Sequence, residues 1–222
     1  MTGCGTNTGT GTQTTASTPS ATPTATPTKT YTNADLSGLI STLKDSEGRP
    51  LTVVPAAQID QGIIKAKELL RKAVFNPPAC NVFADSNAQI PQDSTYAAGT
   101  TISAADQTAT IVTVMALKDT AALNAHLDAS RTAVAQCQNF TVDVAGQQIT
   151  NQVQPAEIAT AGDDSFGALA TQTLATGQKQ TVLTVTGIKG NLAATAVKAG
   201  PAVTPDAAPE LTQLINTVLS HG

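Results

Sequence analysis

Between Asn33 and Lys44 the apolar residues Leu36, Leu39, Ile40 and Leu43 recur at i, i+3, i+4 and i+7, which predicts an amphipathic helix with Asn33 as its N-cap. Asp45-Ser46-Glu47-Gly48 ends it. Leu51 to Val54 reads as a short strand, and Pro55 opens a second helix expected to run to about Val74. Its apolar positions are Ile59, Ile63, Ala66, Leu70 and Ala73, and Asn76-Pro77-Pro78 forbids its continuation. Strand chemistry takes over between Ala97 and Leu117, where Thr110 to Met115 is rich in β-branched side chains and Asp106-Gln107 marks a hairpin turn. A third helix is predicted from about Thr120 to Gln136, capped by Asp119 or Thr120. Leu123, Leu127, Ser130, Val134 and Cys137 form its inner stripe.

The C-terminal half alternates with a period of two. Phe140 to Val144 and Gln148 to Val153 flank the turn Ala145-Gly146-Gln147, and Ala168 to Leu174, Gln180 to Ile188 and Asn191 to Lys198 predict a three-stranded meander. A last helix from about Asp206 to Ser220 carries the cleanest stripe, Leu211, Leu214, Ile215, Val218 and Leu219. Helices and antiparallel hairpins in this order, without βαβ alternation, predict an α+β fold: a central antiparallel sheet flanked by helices.

Composition changes the picture at the N-terminus. Residues Gly5 to Thr30 are almost wholly Thr, Ser, Gly, Ala and Pro, with no hydrophobe larger than Ala, so residues 1–30 are expected to be a linker and residues 31–222 one folded domain. In the polyproline II conformation such an arm reaches on the order of 80 Å. Thr2-Gly3-Cys4 matches the end of a bacterial lipobox, in which the Cys is diacylated and becomes the first residue of the mature protein. No charged and apolar leader precedes Cys4, and Met1 is expected to stand in its place. The expected partner is therefore a membrane, reached through lipidated Cys4, with the domain on its outer face. The bland alternative for Cys4 is an incidental thiol.

With Cys4 assigned to lipid, Cys80 and Cys137 remain as an even pair in an oxidising compartment, where a disulfide is expected and two free buried thiols are the alternative. Hydrophobic residues make up 41% of the chain and charged ones 13%, the net charge is -4, and no basic run appears, so no nucleic-acid partner is expected. There is no Trp, and two Tyr and four Phe give little from which to build a stacking platform.

Candidate chemistry is sparse. His126 and His221 are the two imidazoles; His126 sits at the edge of the third helix's stripe and is read as a solvated residue, although it is also the one realistic base for a hydrolase. Asp163-Asp164 is read as a turn cap, because adjacent strand residues point to opposite faces. Lys65, Lys67, Arg71 and Lys72 form a local basic concentration, read as a solvated helix face or, alternatively, a contact for an acidic ligand. No metal, cofactor or catalytic residue is assigned.

The Pro-rich corner Asn76-Pro77-Pro78-Ala79-Cys80, the helix end Ala135-Gln136-Cys137 running into Phe140-Thr141-Val142, and Gly162-Asp163-Asp164 ahead of the meander resemble the PknH-like extracellular sensor domain of actinobacteria. That family occurs on membrane kinases and as stand-alone lipoproteins. The resemblance implies an antiparallel sheet with flanking helices and a cleft for a ligand. It departs from the kinase sensors in having one Cys pair where they carry two. The expected function is a non-catalytic cell-envelope lipoprotein, monomeric, binding a small ligand or an envelope component; a pocketless protein-interaction module and an envelope hydrolase are the alternatives.

Overall fold

Strands of up to eleven residues build one antiparallel sheet of nine strands among the described residues, which in this computed structural model are 29–83, 94–118 and 120–221. In chain order the elements are α1 (Asn33–Thr42), β1 (Thr52–Val54), α2 (Ala56–Leu70), β2 (Val74–Asn76), β3 (Thr95–Ser103), β4 (Thr108–Ala116), α3 (Thr120–Gln136), β5 (Asn139–Val144), β6 (Gln147–Pro155), β7 (Asp164–Leu174), β8 (Lys179–Lys189), β9 (Leu192–Gly200) and α4 (Ala208–Leu219). The strand order is β1-β3-β4-β9-β8-β7-β6-β5-β2. The meander of β7, β8 and β9 lies at its centre, and both edges are closed by strands of three residues, a length that offers little to a pairing neighbour.

Hairpin chemistry sets the register. Ala145 and Gly146 both have positive φ, 54° and 80°, as a two-residue turn between right-twisted strands requires, and the Gly146 amide donates to Asp143 Oδ1 at 2.9 Å. The turn pairs Val144 with Gln147 and so places Phe140 opposite Asn151.

One face of the sheet carries α1 and α4. Leu36 and Ile40 from α1, Leu211, Ile215 and Leu219 from α4, and Val112, Val114, Leu183, Val185, Ala194 and Ala196 from the strands form the principal core. Glycines permit the close approach. A methyl group at Gly187 would come within 2.8 Å of Ile215 and 2.9 Å of Leu219, and one at Gly99 would collide with Ile40. Lys198 of β9 pairs with Glu210 of α4 at 2.6 Å. The opposite face carries α3, packed by Leu123 and Leu127 against Ile188 and Ala193, and by Val134 against Phe140, Val142 and Val153.

Local chemistry departs from the sequence reading in three places. The N-cap of α1 is Thr32, not Asn33, because Thr32 and Asp35 form a reciprocal capping box: the Asp35 amide donates to Thr32 Oγ1 at 3.2 Å and the Thr32 amide to Asp35 Oδ2 at 2.8 Å. Helix α2 ends at Leu70 rather than near Val74, since Val74–Asn76 is drawn into the sheet as a partner of β5. Asp45-Ser46-Glu47-Gly48 forms a turn beyond α1 rather than a simple stop. Asp45, whose side chain is 1% exposed, accepts from the amides of Glu47 and Arg49, from Arg49 Nε at 2.7 Å and from Thr101 Oγ1. Desolvation opposes its ionisation, but those donors prevail and hold its carboxyl below the ordinary value.

The Cys80 and Cys137 sulfurs are bonded, with Cα atoms 5.6 Å apart and both residues fully buried. The bridge joins the short 3₁₀ turn Pro78–Asn81, just beyond β2, to the end of α3. Cys4 and residues 1–28 lie outside the described residues, as does Asp119.

Closing a loop of 57 residues is worth about 4 kcal/mol in the chain-entropy model. Replacing both Cys80 and Cys137 by Ala is expected to lower unfolding stability by about 2–4 kcal/mol in urea titrations. A change under about 0.5 kcal/mol would show that the bridge does not constrain the fold.

Candidate functional site

The strand registers sort the side chains of the second face completely. Position pairs such as Phe140 with Asn151, Val153 with Ala170, Ala170 with Val182 and Thr184 with Val197 all belong to it. From β3 through β9 its charged residue among the described strands is Asp164, at the very start of β7, whereas Asp143, Lys179, Lys189 and Lys198 all point to the other side.

Helix α2 crosses this uncharged face. Near its start, Asp60 accepts a hydrogen bond from the Tyr96 hydroxyl on β3, and at its end Leu70 packs beside Phe75 and Phe140 at the other side of the sheet. Its 15 residues span about 22 Å. Ile59, Ile63 and Leu70 share one stripe and are its half-buried residues; none is fully buried. Of the stripe expected from the sequence, Ile59, Ile63 and Leu70 face inward, whereas Ala66 is exposed and Ala73 lies beyond the helix, and the helix does not press the stripe into the core. Lys65 and Lys67 are exposed on the rest of the helix, and Arg71 and Lys72 are exposed just beyond its end.

Between Leu70 at the C-terminal end of α2, Ser130 and Val134 of α3, and the sheet lies a cavity of about 520 Å³, a volume suited to a small organic molecule. All four Phe of the chain line it: Phe75, Phe83, Phe140 and Phe166. Phe140 is the centre of the aromatic wall, stacked on Phe83 at 5.0 Å between ring centroids and on Phe75 at 6.1 Å. The disulfide sets this wall, because Cys80 lies between Phe75 and Phe83 while Cys137 is three residues before Phe140. Ala168 and Ala170 keep the floor deep, and Val182 and Val197 continue it. Polar groups are few and neutral: Asn151 and Gln172, paired across β6 and β7, with Thr184 and Ser130. Asn151 is 5% exposed, and its Nδ2 donates to the Ile149 carbonyl at 3.3 Å.

Arg131 of α3 docks the helix over the start of β7. It donates to both carboxylate oxygens of Asp164, to the Ser165 carbonyl at 2.7 Å and to Asp128 at 3.0 Å, which places Phe166 at the cavity wall. The Arg131 hydrogen bonds hold the Asp164 carboxyl below its usual range. Asp163 instead accepts from the Gly190 amide at 2.8 Å, so the two adjacent carboxylates serve separate contacts. His126 is half-buried on α3, with its imidazole pushed below its ordinary value by desolvation, and it is not among the residues lining the cavity. Among the described residues no three His, Cys, Asp or Glu side chains converge as a metal site would require, and no helix is long and apolar enough to cross a membrane.

No family model matches the sequence, and no curated protein matches it. Solved structures do. The chain is similar to the extracellular domain of PknH from Mycobacterium tuberculosis. The alignment covers 67% of this chain and 76% of the PknH domain at 13% identity, with a TM-score of 0.48. An uncharacterized protein from Mycobacterium smegmatis aligns over 67% of this chain and 75% of its own, at 14% identity and a TM-score of 0.42.

The cavity was not among the residues singled out from sequence. No local signal marked it, since Phe166 to Gln172 and Gln180 to Ile188 carry no charge at positions of either parity.

Because Asp164 titrates lower in the folded state than in the unfolded chain, the contribution of its pair with Arg131 is complete above the ordinary carboxylate pKa of about 3.9 and is lost as pH falls through the folded value. Asp164→Asn is expected to cost up to about 1 kcal/mol at neutral pH, a modest figure because both side chains are partly solvated. The deficit relative to the unmodified protein should shrink as urea midpoints are followed down to about pH 3. A deficit independent of pH would contradict the pairing.

Proposed function

We propose that this chain is a non-catalytic binding domain that works outside the cell membrane, tethered by lipidated Cys4 through its Thr- and Pro-rich arm, and that it takes a small neutral ligand into the cavity between the end of α2, α3 and the sheet. The observation that carries this reading is the convergence of all four Phe on one cavity whose lining, among the described residues, contains no charged side chain. A protein with so few aromatics that places four on one wall has concentrated its largest apolar surfaces where a ligand can use them. The disulfide suits an oxidising compartment. Asn151, Gln172, Thr184 and Ser130 supply neutral donors and acceptors, sufficient to orient a ligand and unsuited to neutralising a charged one.

Nile red, a neutral apolar fluorophore, is expected to bind saturably at one site per chain. Ala170→Phe fills the floor and is expected to weaken that binding at least about tenfold without lowering the melting temperature. Absence of saturable binding, or binding indifferent to Ala170→Phe, would overturn the assignment.

A further inference from the structure

The cavity does not end at its own walls. Ile102, Ala109, Ala199, Val182, Ala170 and Val153 are successive cross-strand partners, one from each of β3, β4, β9, β8, β7 and β6, and all lie on the uncharged face. They form a single apolar row with three alanines between larger side chains. Five inter-strand steps of about 4.8 Å make it roughly 24 Å long. The inner part of the row, Val153, Ala170 and Val182, is cavity lining; the outer part reaches Ile102, which is 69% exposed and is flanked in the next row by Ile111, 43% exposed.

We infer that the ligand is a lipid with an uncharged head group whose acyl chain lies along this row, with its inner end against the Phe wall. This rests on the cavity reading above and names its ligand class. The shape argues for a chain, because a compact aromatic molecule would fill the cavity and leave the exposed isoleucines unused. The chemistry excludes the other elongated candidates. An extended peptide brings amides that need partners, and the row lies on the face of the sheet, where backbone groups are already paired between strands. An oligosaccharide needs a dense set of polar partners that Ala, Val and Ile do not offer. Among the described residues no charged side chain on the row or in the cavity is available to an ionised head group.

Native mass spectrometry and displacement of Nile red, with monopalmitoylglycerol and monohexanoylglycerol as probes, test the inference on the full chain. The long-chain probe is expected to bind one per chain and at least about tenfold more tightly than the short one. Ile102→Asp places a charge at the exposed end of the row. It is expected to bring the affinity for monopalmitoylglycerol down toward that for monohexanoylglycerol while leaving the latter unchanged, which also reports that the variant is folded. Equal affinities for the two probes would overturn the chain assignment and leave the cavity reading standing. Failure of both probes and of Nile red would overturn both. A dimer dispersed by Ile102→Asp would show that the row meets a second copy of the chain, and would also overturn the inference.

Discussion

The strict alternation of side chains along the long central strands is the constraint on which the rest of the molecule depends. Because the register never slips from β3 to β9, every Lys and Asp of these strands except Asp164 is delivered to one side, and the other side is left neutral. The charged side is closed by α1 and α4 at glycine-mediated contact distance, making a conventional core. The neutral side is covered differently, tightly by α3 at one end and loosely by α2 across its breadth.

That difference in packing is what turns a core face into a site. The disulfide between Cys80 and Cys137 and the contact of Arg131 with Asp164 fix the two ends of the aromatic wall, so Phe75, Phe83 and Phe140 are held independently of Phe166. Alanines at positions 168 and 170 then leave depth where larger residues would have completed the packing. A helix whose apolar stripe stays half-exposed above such a floor leaves room for a third apolar component, and the neutrality of the lining restricts what that component is.

Much of the fold was legible because its signals are local. The stripe from Leu211 to Leu219 and the run from Thr120 to Gln136 gave helices at nearly their observed limits, and Ala145-Gly146 gave its turn. Errors arose where a distant partner decides the outcome. Val74 continues a helical stripe, yet it pairs with Asp143, nearly seventy residues later, and becomes strand. The cap of α1 is a local exception: Asn33 is a good cap in isolation, but Thr32 has Asp35 at the reciprocal spacing. Strand β7 begins at Asp164, four residues before the predicted start, because Arg131 of another element anchors it there. The site was the least legible part. Four Phe separated by up to 91 positions look like scarcity in a sequence, and only the sheet order brings them to one wall.

Hydrogen exchange along α2 reports whether the space between that helix and the sheet is filled, because few contacts hold the helix over the neutral face. Saturation with monopalmitoylglycerol should slow exchange throughout Ala56–Leu70 while leaving α4, on the opposite face, unchanged. Unaltered exchange in α2 at full occupancy would mean that the gap between helix and sheet is not where this protein receives its ligand.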